Sequence, residues 1–559
     1  MTCAPLSPVP EAVNYRRNPA DVMHLSRLGL SHPTRLSFLR ILLRRMQTEG
    51  WQFERPVFDF DAKGVGRAVY CAKGPTQTYS LVAFGHDLPP DMRSDRVIAT
   101  AWDATFALFD GIPDAADLDR LARNVPVQEA GRVTAKELTL SRANRSVRLF
   151  EHVVQSLASG IQPDAAALAE TGYLMRTTAV YGSGKFGAAS YASIAHRPEV
   201  AAPFQAEMLT VWLIRTFTVD LVEHMARCRG GDVAVPLDPA LKRGLGVGNS
   251  TGLGMAPFLV RHPMLLNNWI MVREEALARV RAQTVTDDTR IGAFNASLDA
   301  ALDNAQLWNT MHPVQIDRLA DLRSGLVTLA QFVGQAWDPR GQRPWNTLWL
   351  WAQESLPFEA QEALLALLLE PHGDLVDGLS ECLSSDEAEA FDIDGGMTVG
   401  ELRAHMAENY AWARACDYDK QHECARFWYV SEDKLEPRLG ERFDEPGGER
   451  ELPLDIGRQA AALYAALEQR PNDQPVAHLL LQEPVHRPMA RRVQMTRARP
   501  FAEIRDNLLS ADLLPIDMLR CKLAFFGANR FDPRSDRWVR ISLFQNCPYP
   551  HELSVEMGL

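Results

Sequence analysis

The chain has 559 residues, of which 46% are hydrophobic and 23% are charged, and its formal net charge is −12 at pH 7. This composition is typical of a globular protein that buries several hydrophobic clusters, and it excludes a largely disordered chain. The negative net charge argues against general nucleic-acid binding, because phosphate backbones are bound by an excess of lysine and arginine.

Cysteine usage and the N-terminal sequence bear on the compartment. The eight cysteines are scattered, without a Cys-x-x-Cys pair, and such spacing favours a reducing compartment over a disulfide framework. The first residues lack the basic start and apolar core of a secretory signal, and no run approaches the roughly 18 apolar residues of a membrane span. We therefore expect a soluble, cytoplasmic protein without a membrane partner.

The N-terminal segment, residues 1–133, is predicted to form an α+β domain. Apolar side chains recur at helical spacing after Pro33, a residue that suits the first turn of a helix. The spacing of apolar residues then shifts toward a period of two, and strand-forming residues fill three runs, 66–72, 79–84 and 96–110. We expect these runs to form an antiparallel meander of three or four strands, with the helix packed on one face.

Residues 134–335 are predicted to form a helical domain. Ser141 is placed to cap one helix, and Pro203 begins a longer helix that runs to about Arg229. On a helical wheel of the longer helix, Glu207 falls among apolar side chains. A buried carboxylate must be ion-paired or hydrogen-bonded. Glu207 is therefore a site residue or a member of a structural polar cluster, unless it is exposed in the first turn.

Residues 336–445 are predicted to form a helical, Trp-rich segment, and residues 446–559 a small α+β unit beyond a break rich in glycine and proline. Four tryptophans cluster between 337 and 351, where they either cover the core or anchor a partner. The runs 476–481 and 537–544 resemble strands, which either complete the small unit or add to the N-terminal sheet. The predicted fold is thus mainly α and multidomain, with α+β units at both ends.

Two glycine-rich runs lie inside the predicted helical domain, at 177–187 and 243–258. Five glycines between 244 and 254 indicate a backbone that takes positive φ or is approached closely. Neither run fits an established phosphate-binding motif: Gly184-Lys185 is followed by phenylalanine, and the third glycine of a dinucleotide loop is missing. The runs therefore predict one of two structures: a site in which backbone amides bind an anion, or a loop whose glycines allow close packing.

The predicted site combines the two runs. Its substrate-binding residues are Gly184, Lys185, Arg243, Gly246, Gly248, Asn249, Ser250 and Thr251. Lys185 and Arg243 supply positive charge in this hypothesis, and residues 249–251 orient the substrate. His262 and Glu207 are the catalytic candidates, because an imidazole or a carboxylate can move a proton.

The leading functional hypothesis is an enzyme that acts on a small anionic metabolite, bearing a carboxylate or a phosphate, held by the glycine-rich runs. Two alternatives stay open: a noncatalytic interaction or scaffold protein, and an oxidoreductase with a nucleotide cofactor. No metal site is predicted, because Cys416, His422 and Cys424 lack the paired spacing of a zinc site. The sequence identifies neither the reaction nor a cofactor, and it leaves a homo-oligomer open.

Overall fold

The structure is a computed structural model that describes residues 15–29, 33–89, 101–127, 133–177, 194, 196–200, 202–249, 263–310, 313–383, 392–415, 417, 428–431, 437–439, 451–453, 456–504, 515–528, 530–533 and 539–553. The chain is mainly helical. It divides into two compact units. The helical unit consists of residues 1–32 and 253–524, and the sheet unit consists of residues 33–252 and 525–559.

The described α-helices are, in chain order, α1 (Pro19–Val22), α2 (Leu25–Leu28), α3 (Phe38–Thr48), α4 (Ala115–Asn124), α5 (Phe150–Ala158), α6 (Ala165–Thr171), α7 (Gln205–Gly230), α8 (Pro239–Arg243), α9 (Pro263–Ala282), α10 (Asp288–Leu307), α11 (Pro313–Gln335), α12 (Pro344–Ser355), α13 (Phe358–Leu369), α14 (Gly373–Val376), α15 (Val399–Asn409), α16 (Ala411–Ala415), α17 (Ile456–Glu468), α18 (Val476–Gln482), α19 (Arg487–Ala498) and α20 (Pro515–Phe526). The described strands are β1 (Gln52–Phe60), β2 (Gly66–Lys73), β3 (Thr78–Gly85), β4 (Ala104–Asp110), β5 (Glu137–Arg145), β6 (Tyr173–Thr177), β7 (Gly246–Asn249), β8 (Trp428–Ser431), β9 (Pro437–Leu439), β10 (Glu451–Pro453), β11 (Arg530–Pro533) and β12 (Val539–Leu543). None of these described helices is long and apolar enough to cross a bilayer.

Nine of the described strands form one sheet in the sheet unit, in the order β1-β2-β3-β4-β5-β6-β7-β12-β11. Neighbouring strands are antiparallel except β6 and β7, which run parallel. The predicted N-terminal meander is confirmed as β1 to β4, and β5 extends it. In the helical unit, β8, β9 and β10 form a separate three-stranded sheet.

Helix α7 covers one face of the large sheet, where it packs against β3 to β7. Its Phe217 ring meets the rings of Phe60, Tyr70 and Phe106. The helix is buried along most of its length, as expected for a helix that is apolar on nearly every side. The opposite face of the sheet is covered by α4, whose Leu121 joins a cluster with side chains of β2 to β5. These strands are therefore buried on both faces.

Two local predictions are wrong because strands or helices buried on several sides lose their sequence signature. Ser141, the predicted helix cap, lies inside β5 between β4 and β6. Strand β5 is buried on both faces, so it lacks the alternation of a half-buried strand. The run 476–481, predicted as a strand, lies in α18, where Val476, Leu479 and Leu480 are buried at helical spacing. A short apolar run does not distinguish the two structures.

The C-terminal strands join the large sheet instead of a small α+β unit of their own. Strand β12 pairs with β7, and β11 pairs with β12. Of the two alternatives for the run 537–544, addition to the larger sheet is therefore the one observed. The two compact units are not the four predicted segments, because each unit is built from two separate stretches of chain. As functional domains, those four segments stay a prediction.

Candidate functional site at the ends of two parallel strands

The two glycine-rich runs follow the ends of neighbouring strands. In the described part of the sheet, β6 and β7 are the parallel pair, and their last residues, Thr177 and Asn249, lie opposite each other. The run to residue 187 follows Thr177 in the chain, and the run to residue 258 continues from Asn249. Carboxyl ends of parallel strands share one edge of a sheet, and loops that leave this edge commonly build ligand sites. The register therefore places the start of the first run beside the position where the second run leaves β7.

The predicted site residues divide into two sets. Those that lie outside the described residues are Gly184, Lys185, Ser250, Thr251 and His262. Those that the structure describes are Glu207, Arg243, Gly246, Gly248 and Asn249. Asn249 ends β7 at the carboxyl edge.

Gly246 and Gly248 lie within β7 rather than in a loop, which corrects the expected local structure. A Cβ atom on Gly246 would overlap the main-chain oxygen of Leu543 in β12. A Cβ atom on Gly248 would lie 2.7 Å from the ring of Tyr173 in β6. These two contacts explain the glycines by the close packing of β6, β7 and β12. Packing was the structural alternative to an anion cradle for this part of the run.

Arg243 lies before β7, at the end opposite Asn249. Its Nη1 pairs with Glu552 Oε2 at 2.7 Å. Its carbonyl oxygen accepts hydrogen bonds from the Asn546 amide at 2.8 Å and from Arg215 Nη2 at 3.2 Å. Because a strand rises about 3.3 Å per residue, the structure does not bring Arg243 to the carboxyl end of β7. Arg243 instead holds the C-terminal segment.

Glu207 lies in α7, the helix that packs against β5, β6 and β7. It is 7% exposed and belongs to the first turn of α7, which confirms its predicted place among apolar side chains. One turn further along the same helix face, Thr210 Oγ1 lies 2.7 Å from Thr139 Oγ1 of β5. Ser141, on the same face of β5 as Thr139, has its Oγ 3.3 Å from Thr177 Oγ1. The first turns of α7 therefore border this edge, and the positive end of a helix dipole favours an anion there.

Sequence reasoning missed Arg215, which ties α7 to the C-terminal segment. Arg215 is 1% exposed, and its Nε and Nη1 donate to the carbonyl oxygens of Leu245 at 2.6 Å and Cys547 at 2.8 Å. Its guanidinium lies over the Tyr549 ring, 3.8 Å from the centroid. Burial lowers the pKa of Arg215, and the nearby Tyr549 opposes this shift. The available signal was a lone charged residue in the otherwise uncharged run 208–219.

No other protein supplies a function for these residues. No protein-family model matches the chain, and no curated protein or solved structure is detectably similar to it. Within the described ranges, no group of three or more His, Cys, Asp or Glu side chains is placed to share a metal ion. The three residues weighed for zinc in the sequence, Cys416, His422 and Cys424, lie outside those ranges.

Proposed function

We propose that this protein is an enzyme that acts on a small anionic metabolite, a carboxylate or a phosphate, bound at the carboxyl end of the β6–β7 pair. The observation that carries the proposal is the register that sets Thr177 opposite Asn249, because the first glycine-rich run and the part of the second run after Asn249 leave the sheet from neighbouring strand ends. Lys185 supplies positive charge to the anion, and residues 249–251 orient it through amides and polar side chains.

Proton transfer in this proposal belongs to Glu207 or His262. Glu207 is buried in the first turn of α7, and His262 follows the second glycine-rich run in the chain. A carboxylate or an imidazole within hydrogen-bonding reach of the substrate suits general acid–base catalysis. Arg243 has no part in it, because it pairs with Glu552 at the other end of β7.

The scaffold alternative draws less support from the structure. Trp345 and Trp349 are fully buried, and Trp337 is 7% exposed. Trp351 stacks on Phe332, with ring centroids 3.7 Å apart. Aromatic anchors of a partner lie on accessible surface before binding, whereas most of this cluster packs inside the helical unit. The nucleotide-cofactor oxidoreductase stays an alternative that predicts a chromophore released on denaturation.

Thermal unfolding in the presence of metabolites tests the proposal. Purified protein is heated with a panel of phosphorylated, carboxylated and nucleotide compounds, and the midpoint is compared between wild type and Lys185→Ala. A ligand at about 100 times its dissociation constant stabilises the native state by about 2.7 kcal/mol. We expect at least one anionic compound to raise the midpoint of the wild type and to lose this effect in Lys185→Ala.

Lys63→Ala is the matched control. Lys63 also sits beside a glycine, but its side chain is 71% exposed and pairs with Asp87 at 3.1 Å in the turn between β1 and β2. Its removal should leave the ligand-induced shift unchanged. A shift that survives in Lys185→Ala would remove Lys185 from the site, and no shift with any compound would favour the scaffold alternative.

A further inference from the structure

The helical unit contains a cavity of about 580 Å³ whose lining includes four arginines and the carboxylate of Asp21. Its side chains include Arg16, Arg17, Arg27 and Arg281, together with Phe358. The volume lies within the roughly 300–1,000 Å³ range of small-molecule sites in proteins. Four guanidinium groups around one cavity of this size indicate an anionic occupant if their charge is not already neutralised.

Three of these arginines are ion-paired with glutamates of α9 and α13. The pairs are Arg17 with Glu274 (2.7 Å) and Glu362 (2.6 Å), Arg27 with Glu362 (3.2 Å), and Arg16 with Glu275 (2.5 Å). The attraction of Arg17 to both its carboxylates keeps its pKa above the usual value despite burial. The paired arginines therefore line the cavity but add little net positive charge to it.

Arg281 differs, because no described residue offers it a carboxylate. It is 8% exposed, and its Nε and Nη1 donate to Asn346 Oδ1 at 3.0 Å and to the Tyr15 carbonyl oxygen at 2.7 Å. Its Nη2 has no acceptor within the described part of the chain. Burial, followed by repulsion from Arg17, lowers the pKa of Arg281 to about 10. It is still a cation at neutral pH, and a buried cation is stabilised by a counter-charge.

Arg273 adds to the same excess of positive charge. It is fully buried, and none of its three side-chain nitrogens forms a hydrogen bond with a residue that the structure describes. Its contacts with Glu274 at 3.4 Å and Glu362 at 3.9 Å are long, and both carboxylates already serve Arg17. In and around the cavity, five arginines (16, 17, 27, 273 and 281) therefore stand against four carboxylates (Asp21, Glu274, Glu275 and Glu362), which leaves positive charge uncompensated.

We propose that this cavity binds a small organic oxyanion, a carboxylate or a phosphate, whose charged group accepts a hydrogen bond from Arg281 Nη2 and whose apolar part contacts Phe358. Phe358 is 54% exposed, and the Arg27 guanidinium lies 4.1 Å from its ring centroid. An exposed aromatic ring near a buried cation suits an anion with an apolar or planar group better than a bare inorganic ion. The site is independent of the proposed catalytic site at the β6–β7 ends.

Isothermal titration calorimetry with four probes tests this proposal. The probes are phenyl phosphate, benzoate, inorganic phosphate and benzyl alcohol. We expect both aromatic anions to bind, inorganic phosphate to bind more weakly than phenyl phosphate, and uncharged benzyl alcohol not to bind. The tighter of the two aromatic anions identifies the preferred charged group. If neither aromatic anion binds the wild type, the proposal is wrong.

Arg281→Gln removes the charge and retains an amide. Because hydrogen bonds to charged groups contribute more than neutral ones, we expect binding of phenyl phosphate to weaken about tenfold or more. Arg290→Gln is the matched control, since Arg290 pairs with Asp374 at 2.7 Å in the same unit and does not line the cavity. Wild-type affinity in Arg281→Gln would overturn the assignment.

Phe358→Ala keeps the test decisive if Arg281→Gln fails to fold, because Phe358 is exposed and its loss costs little core packing. It should weaken phenyl phosphate severalfold and leave inorganic phosphate unchanged. An equal effect on both probes, or none on either, would contradict the proposed contact. Because the proposed catalytic site also takes anions, only binding that Arg281→Gln or Phe358→Ala weakens is assigned to this cavity.

Discussion

Each of the two units buries an arginine that has no carboxylate partner among the described residues, yet the two arginines are held in different ways. In the sheet unit, Arg215 uses all three side-chain nitrogens on the carbonyl oxygens of Leu245, Cys547 and Arg243. In the helical unit, Arg281 uses only Nε and Nη1 on described acceptors. Burial lowers the pKa of both groups.

This difference separates a structural cation from a binding cation. Backbone carbonyl groups are fixed by the fold, so an arginine that satisfies them closes a junction between chain segments. An arginine that lines a cavity and has one nitrogen without a protein acceptor can donate a hydrogen bond to a ligand. Burial and charge are similar in the two cases, and the count of satisfied donors distinguishes them.

The largest expected effect concerns Arg215. Arg215→Met removes the hydrogen bonds that its three side-chain nitrogens donate to carbonyl oxygens, and we expect a loss of roughly 3–5 kcal/mol in the free energy of unfolding. Arg281→Gln should cost less, about 1 kcal/mol, because the loss of its hydrogen bonds to Asn346 and Tyr15 is offset by removal of a cation that has no counter-charge among the described residues. Urea denaturation followed by circular dichroism measures both.

The control for Arg215 is Arg123→Met on α4, where the side chain is exposed. It should change the free energy of unfolding by less than about 0.5 kcal/mol. Equal losses in Arg215→Met and Arg281→Gln would break the distinction between the two arginines. A loss below about 1 kcal/mol in Arg215→Met would show that water replaces the guanidinium at the carbonyl groups.

The next effect tests how tightly the junction held by Arg215 is packed. Gly246→Ala would drive a Cβ into the main-chain oxygen of Leu543, so β7 and β12 must separate, at a cost of about 2–3 kcal/mol. Gly244→Ala is the control from the same glycine-rich run, because the nearest atom is 3.6 Å away and its φ of −66° suits alanine. It should be neutral or stabilise by up to about 1 kcal/mol. Thermal unfolding of both variants measures the difference, and equal midpoints would contradict close packing at β7.

The sequence predicted those elements whose signature is local. The helix expected from Pro203 to about Arg229 is α7, because its length and its terminal glycines are visible without tertiary contacts. Strand β5, with Ser141 inside it, was missed because both its faces are buried. The pairing of β12 with β7 joins segments almost 300 residues apart, and no local pattern specifies it.

The candidate sites show the same limit. Both glycine-rich runs were recognised from composition, but their common origin depends on the register of Thr177 with Asn249. The arginine cavity was missed entirely. It combines Arg17 with Arg281 and Phe358, and each of these is unremarkable in its own stretch of sequence. The unmet donor of Arg281 appears only when the helices are packed.

The smallest effect extends the comparison to His372, another buried group of the helical unit with an unmet nitrogen. His372 is fully buried, its Nδ1 lies 2.8 Å from the Leu368 carbonyl oxygen, and its ring meets Trp345 edge-on at 5.0 Å. Its Nε2 has no hydrogen-bond partner in the described part of the chain. Burial lowers the pKa of His372 to about 4 from an ordinary 6.5. The charge of Arg290 adds to this shift, whereas the hydrogen bond to Leu368 and the nearby carboxylates oppose it.

The direction of the pH effect follows from where the proton binds. Between pH 6.5 and 4, His372 binds a proton in the unfolded chain but stays neutral in the folded one. The contribution of His372 to the free energy of unfolding is therefore complete above pH 6.5 and is lost as the pH is lowered through this window. At pH 5 the loss is about 2 kcal/mol relative to pH 7. His372→Gln retains a donor for the Leu368 carbonyl group but does not titrate, so the stability of this variant should fall less between pH 7 and 5. The control is His478→Gln, at an exposed position, which should behave as wild type. If urea denaturation gives parallel pH profiles of stability for wild type and His372→Gln, water or a relaxed side chain must reach Nε2. A buried nitrogen without a hydrogen-bond partner would then not be enough to identify a site in the helical unit from which water is excluded.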